Sequence, residues 1–140
     1  MKFPRFAYLL PVAALVLATA TACEDEPTAT PQPAPEALLV AHTWRLDETR
    51  LDGQVTGSGA TVKDRYTWQF IRGGAYHQML TADNTMTHGS WQLADKDVTL
   101  QLIDHKGELL GYTIKQLDAS TLKVSWLRGA EVYENTYSAQ

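Results

Sequence analysis

From Thr43 onward the chain alternates apolar and polar side chains with a period of two, and turn residues interrupt the alternation every roughly 8–12 residues. That pattern constrains the fold more than any other feature. Consecutive hairpin strands with one apolar face must bury it against each other, in an antiparallel sandwich or barrel. Eight strands emerge. The first, Thr43 to about Leu51, puts Trp44 and Leu46 on one face, and the second, Tyr66 to Arg72, aligns Tyr66, Trp68 and Phe70. Gly73-Gly74 then turns the chain. Of two registers, we prefer a three-residue loop with Gly74 in a left-handed bulge. It pairs Phe70 with Tyr76 across the hairpin, sends Tyr76 and Leu80 inward and exposes His77.

The remaining strands follow in order. Met86 to Leu93 turns Trp91 and Leu93 to one side. After the Asp95-Lys96 turn, Val98, Leu100 and Leu102 face inward. Leu110, Tyr112 and Ile114 come next, then Leu122, Val124 and Trp126, and finally Glu131 to Ser138 with Tyr133 and Tyr137. Asp52 to Asp64, with Gly53, Gly57 and Gly59, reads as a flexible loop. Its Gly57-Ser58-Gly59 lacks the Gly-Lys-Ser/Thr of a phosphate-binding loop. A short helical turn fits Glu36 to Val40. No helix is long enough for a crossover, so the expected fold is all-β: a small eight-stranded up-and-down antiparallel barrel.

The amino-terminal part has a different character. Lys2 and Arg5 precede an uncharged, mostly apolar run from Phe6 to Ala18. At about 13 residues it is shorter than the roughly 20 needed to span a bilayer, and reads as a signal-peptide core. Ala20-Thr21-Ala22-Cys23 resembles the lipobox of bacterial lipoproteins, with Ala20 where Leu is usual. By that resemblance Cys23 would carry a thioether-linked diacylglycerol and become the first mature residue. Ala20-x-Ala22 also fits an ordinary signal-peptidase site; the chain's single cysteine, standing where a lipobox needs it, favours the lipoprotein. Glu24-Asp25-Glu26 and the prolines at 27, 31, 33 and 35 read as an extended tether. The acidic triplet resembles signals that send some Bacteroidetes lipoproteins to the outer face of the outer membrane; its alternative is a solvated start to a linker. The expected organisation is a signal peptide over 1–22, a lipid-anchored tether over 23–37 and a barrel domain over 38–140. The expected place is the bacterial outer membrane, on its periplasmic or cell-surface face.

Without Lys2 and Arg5, ten of the twelve basic side chains remain against sixteen acidic ones, a formal charge of −6. With no cluster of cations to displace phosphate counterions, nucleic acid is not an expected partner. One cysteine permits no intramolecular disulfide, so the core alone must hold the domain.

The barrel segment is similar to the lipocalin-like domains of many bacterial lipoproteins. The similarity rests on Val40-Ala41-His42-Thr43-Trp44-Arg45-Leu46, Trp68-Gln69-Phe70 before Gly73-Gly74, and Gly89-Ser90-Trp91-Gln92-Leu93 before Val98-Thr99-Leu100. Tyr112-Thr113-Ile114 with Leu117, and Thr121-Leu122, extend it over roughly residues 38–138. Lipocalins place Gly two residues before the first-strand Trp, where this chain has His42. The resemblance implies a barrel able to hold a small hydrophobic molecule.

Catalysis and metal binding find little footing. His42, His77, His88 and His105 show no ligand pair spaced within one strand or helix, and no serine sits in a nucleophile elbow. No cofactor is implied, and the chain reads as non-enzymatic. The tryptophans at 44, 68, 91 and 126 all fall on the inner face. Simple packing is one account of them, because an eight-stranded lumen is barely wider than its own side chains. The other is an aromatic pocket in which Trp68, Tyr76, Trp91, Tyr112 and Trp126 orient a small apolar ligand. Any cavity is expected to be small and to lie at the mouth near residues 52–64. The competing function is a structural or interaction module of a cell-envelope complex, with an envelope protein as partner.

Overall fold

The computed structural model describes residues 31–140. The stretch read as a signal peptide, Cys23 and the expected tether up to residue 30 lie outside the described residues. The first element is a short helix, α1 (Pro35–Ala41), so helix begins inside the stretch read as tether. Pro35 suits its first turn because proline lacks the N–H that would have no partner there, and Glu36 favours the positive end of the helix. Its apolar side buries Leu38 and Leu39 and packs on β3 (Tyr66–Ile71) and β7 (Leu109–Leu117), closing one end of the barrel.

The other strands are β1 (Thr43–Leu51), β2 (Gln54–Ser58), β4 (Ala75–Leu80), β5 (Met86–Ala94), β6 (Thr99–Ile103), β8 (Thr121–Arg128) and β9 (Glu131–Ala139). All pairings are antiparallel. From β3 to β9 each strand pairs with the next in sequence, and β1 bonds to both β3 and β9. Eight strands therefore close into an up-and-down barrel, with β2 as an extra strand on the outer half of β1.

β2 corrects the expectation of a flexible loop over 52–64. Asp52 and Gly53 have φ of 48° and 79°, the left-handed pair of a two-residue hairpin turn, and Leu51 pairs directly with Gln54. Residues Gly59–Thr61 then make one 3-10 turn, and Val62 returns to the core. Gly57 is needed there: a Cβ would stand 3.1 Å from the Val62 Cα and 3.3 Å from the Thr61 carbonyl.

The hairpin at Gly73-Gly74 adopts the three-residue loop. Phe70 pairs with Tyr76 and Ile71 with Ala75, while both glycines take φ near 100°. Val98 is a second correction. Asp95, Lys96 and Asp97 all have positive φ, the chain re-enters the sheet only at Thr99, and Val98 is left 50% exposed.

Side chains fill the lumen. Trp44, Leu46, Trp68, Phe70, Leu100, Leu102, Leu122, Val124 and Tyr137 are all but inaccessible. Trp68 stacks on Tyr137 at 4.6 Å, and the buried Trp44 Nε1 donates to the Leu39 carbonyl at 2.9 Å, tying helix to barrel.

Candidate functional site

The rings of the core form a graded series from the closed end to the open one. Trp91 and Tyr76 both lean on Phe70, with centroids 5.4 and 6.3 Å away, and Phe70 meets Trp68 at 5.8 Å. Trp68 touches Tyr112 at 5.6 Å, Tyr112 touches Trp126 at 5.3 Å, and Trp126 stacks on Tyr133 at 5.4 Å. Trp68, Tyr76, Trp91, Tyr112 and Trp126 thus belong to one cluster, yet they are not equally available. Trp68 and Tyr76 are enclosed. Trp91 is fixed by its Nε1 donating to the Ile71 carbonyl at 3.0 Å. Tyr112 is half-buried behind Trp126, which is itself only partly covered.

Trp126 lines a cavity of about 480 Å³ at the mouth, on the side where β1, β2, β3, β8 and β9 meet. The alternation of β8 and β9 places Trp126 and Tyr133 side by side on the inward face, and both rings form one wall. Leu46, Leu51 and Tyr66 supply further apolar surface, and Lys63 and Asp64 stand at the rim. Two smaller hollows of about 380 and 290 Å³ flank Gly73-Gly74; Trp91 is the single aromatic ring in either lining. The mouth is the better ligand site because it is larger than either hollow and has stacked rings for a wall.

Its floor is polar. Tyr66 and Tyr137 hydroxyls are 2.7 Å apart, and Asn135 Nδ2 donates to Tyr137 Oη at 3.1 Å and to Tyr66 Oη at 3.4 Å. Tyr137 is fully enclosed, so its proton has Tyr66 Oη as its acceptor. That leaves the Tyr66 hydroxyl free to donate into the cavity, which Tyr66 and Asn135 both line. Burial pushes the Tyr66 phenol up to about 12, against the opposing pull of its bonds to Tyr137 and Asn135. Burial also raises Tyr112 and Tyr137. The phenols are neutral donors at ordinary pH. An aromatic wall over a neutral polar floor suits a molecule with an apolar body and one uncharged hydrogen-bonding end.

Sequence reasoning placed Tyr66, Leu46 and Tyr133 on the inner face but not in the site. It missed Asn135, whose signal was a polar residue in the inward register between Tyr133 and Tyr137.

Beside the mouth, Asp47 is the extra residue of a bulge in β1, where pairing with β9 shifts between Leu46 and Glu48. It accepts from Arg45 Nε at 2.9 Å and closely from Arg65 and Ser138, while Arg65 Nε donates to the Leu46 carbonyl at 2.8 Å. Burial alone would raise the carboxyl; the bonds from Arg45, Ser138 and Arg65 outweigh it and hold it low.

No protein-family model matches the chain. No curated protein matches its sequence. Among solved structures, a lipocalin-like protein from Bacteroides uniformis aligns with a TM-score of 0.55 at 15% identity, over 73% of this chain and 99% of that one. At that identity the likeness is one of fold: the domain is a lipocalin-like β-barrel.

Proposed function

We propose that this chain is a lipid-anchored, non-catalytic binding protein that holds a small, mostly apolar molecule at the barrel mouth rather than in its depth. One observation carries the reading: the lumen is packed with side chains, while the end opposite α1 keeps about 480 Å³ walled by the Trp126–Tyr133 stack. The molecule would lie flat against that stack and direct its polar end at Tyr66 and Asn135. Anchoring through Cys23 rests on the lipobox resemblance, and with it the assignment to the outer membrane. A second reading, an interaction module of an envelope complex, is favoured by the outer face. There Ile71, Ala75, Ser90, Ile103 and Leu109 align in one row across five strands, with Leu109 64% exposed.

Native mass spectrometry of protein from its own cells, together with titration by an uncharged apolar fluorophore such as N-phenyl-1-naphthylamine, tests the first reading. Trp126→Ala should release a co-purifying small molecule and weaken the fluorophore by tenfold or more, about 1.4 kcal/mol, with little change in melting. Equal binding by wild type and variant would refute the mouth as the site. An empty barrel that captures an envelope protein through the Ile103–Leu109 face would favour the second reading. Cys23→Ala should leave the membrane fraction and lose palmitate labelling; a variant that stays membrane-bound refutes the anchor.

A further inference from the structure

The β4–β5 hairpin folds His77-Gln78-Met79 against Met86-Thr87-His88. Its register pairs His77 directly with His88 and Met79 directly with Met86. The two pairs lie two residues apart along the strands, so all four side chains emerge on the outer face, while Tyr76, Gln78 and Leu80 take the inner one. Sequence spacing within one strand could not reveal this pair. The imidazole centroids are 4.7 Å apart at an interplanar angle of 77°. Directly opposed residues have Cβ atoms about 5 Å apart, and diagonal neighbours about 7 Å. Four such side chains can reach one ion with bonds of about 2 Å, the more easily because methionine has three rotatable bonds.

The composition of the patch sets the metal. The chain has four histidines and three methionines, one of them Met1. Both internal methionines and half of the histidines meet on this hairpin. Among the described residues no group of three or more His, Cys, Asp or Glu is placed to hold a metal, so no carboxylate or thiolate completes a zinc or calcium set here. Two imidazoles with two soft thioethers make a donor set suited to copper(I). The patch is open to solvent, with His88 exposed and Met86 49% exposed, whereas His77 and Met79 are partly covered. The hairpin end is held by the Leu80 N–H donating to the Thr85 carbonyl at 2.9 Å and the Thr85 N–H donating to Asp83 Oδ1 at 2.9 Å. The ligands are therefore presented on a rigid frame.

We propose that His77, Met79, Met86 and His88 form a surface copper(I) site, separate from the mouth cavity. Full-length protein in detergent, titrated anaerobically with copper(I) against bicinchoninate, should retain a single tightly held ion. His77→Ala with His88→Ala should weaken retention by more than the roughly 10–100-fold lost on removing an outer hydrogen-bond partner of a metal ligand. Met79→Leu with Met86→Leu should weaken copper(I) but leave nickel(II), held by the imidazoles, within about twofold. On the unsubstituted protein, methyl-labelled methionine spectra should show the Met79 and Met86 signals shifting on copper(I) addition, which needs no variant to fold. Still methyl signals, or copper(I) retention unchanged by the histidine pair of substitutions, would overturn the site. Nickel(II) lost together with copper(I) in the methionine variant would overturn the thioether assignment and, with it, the proposal.

Discussion

Gly89→Ala should be the most damaging single-methyl change in the barrel, and its size follows from what surrounds the missing Cβ. Gly89 faces inward on β5, directly across from Tyr76. A Cβ there would collide with the Ile103 carbonyl oxygen of β6 and with Tyr76 Cε1, and would lie 2.8 Å from Tyr76 Cζ. The tyrosine could swing aside, but it is buried, and a ring of its size covers 150–250 Å², worth about 4–6 kcal/mol at roughly 25 cal/mol per Å². The carbonyl cannot rotate away, because it belongs to the sheet. Partial yielding by both is the cheaper route, and overpacking of this kind costs typically 1–3 kcal/mol. With a backbone atom involved, we expect about 3 kcal/mol. For a domain slightly above 100 residues this lowers the melting temperature by roughly 12 °C. Gly111→Ala is the control: nothing lies within 4 Å of its Cβ position, so the change should be neutral or mildly stabilising, by up to about 1 kcal/mol. In a Tyr76→Leu background the penalty at Gly89 should shrink by roughly half, leaving the carbonyl share. Urea and thermal melts followed by circular dichroism suffice. If Gly89→Ala melts within about 2 °C of wild type, β5 and β6 do not approach as described.

Three further outcomes follow from the same contacts. Trp44→Phe removes the donor to the buried Leu39 carbonyl and opens a small void, and should cost about 2–4 kcal/mol in a urea titration; a loss below about 1 kcal/mol would mean α1 is not tied through that bond. The Tyr66 phenol, near 10 when unfolded and about 12 when folded, is held neutral by the fold, so stability is full below pH 10 and falls as pH rises toward 12. Tyr66→Phe should flatten that fall in denaturant midpoints measured across the window. Asp47→Ala strands Arg65 and Ser138 at the bulge and should cost about 1–2 kcal/mol, between an exposed and a buried ion pair; a melt unchanged by the substitution would show the bulge stands without it.

The sequence made most of the barrel legible because one face of nearly every strand is buried, and a one-residue slip would turn that whole face outward. The Phe70–Tyr76 register was readable for the same reason. β2 was not, although Asp52-Gly53 is a strong hairpin signal. Its strand is exposed at four of five positions and lacks any alternation, so the neighbouring glycines dominate the pattern. Val98 fits the alternation of β6, but three successive residues with positive φ delay the strand by one position. At the mouth, the aromatic residues were visible as inner-face residues, whereas depth along the barrel was not. Depth depends on strand stagger, which decides that Trp68 is packed while Trp126, equally inward, meets solvent. The His77–His88 pair stayed hidden because the two residues are on different strands and meet only through the hairpin register.

The two faces of the sheet separate the two binding places. The mouth is built on the inner side where β8, β9, β1, β2 and β3 meet, and the histidine–methionine patch lies on the outer side of β4 and β5, the next strands around the barrel. The sheet itself stands between them, so neither place is a wall of the other. Changes at sites with no shared partners add nearly independently. Trp126→Ala should therefore leave copper(I) retention unchanged, and the paired histidine substitutions should leave fluorophore binding at the mouth unchanged. Crossed effects in either direction would mean that the packed core transmits between them, with Trp68, which contacts both Phe70 and Tyr112, as the side chain positioned to do so.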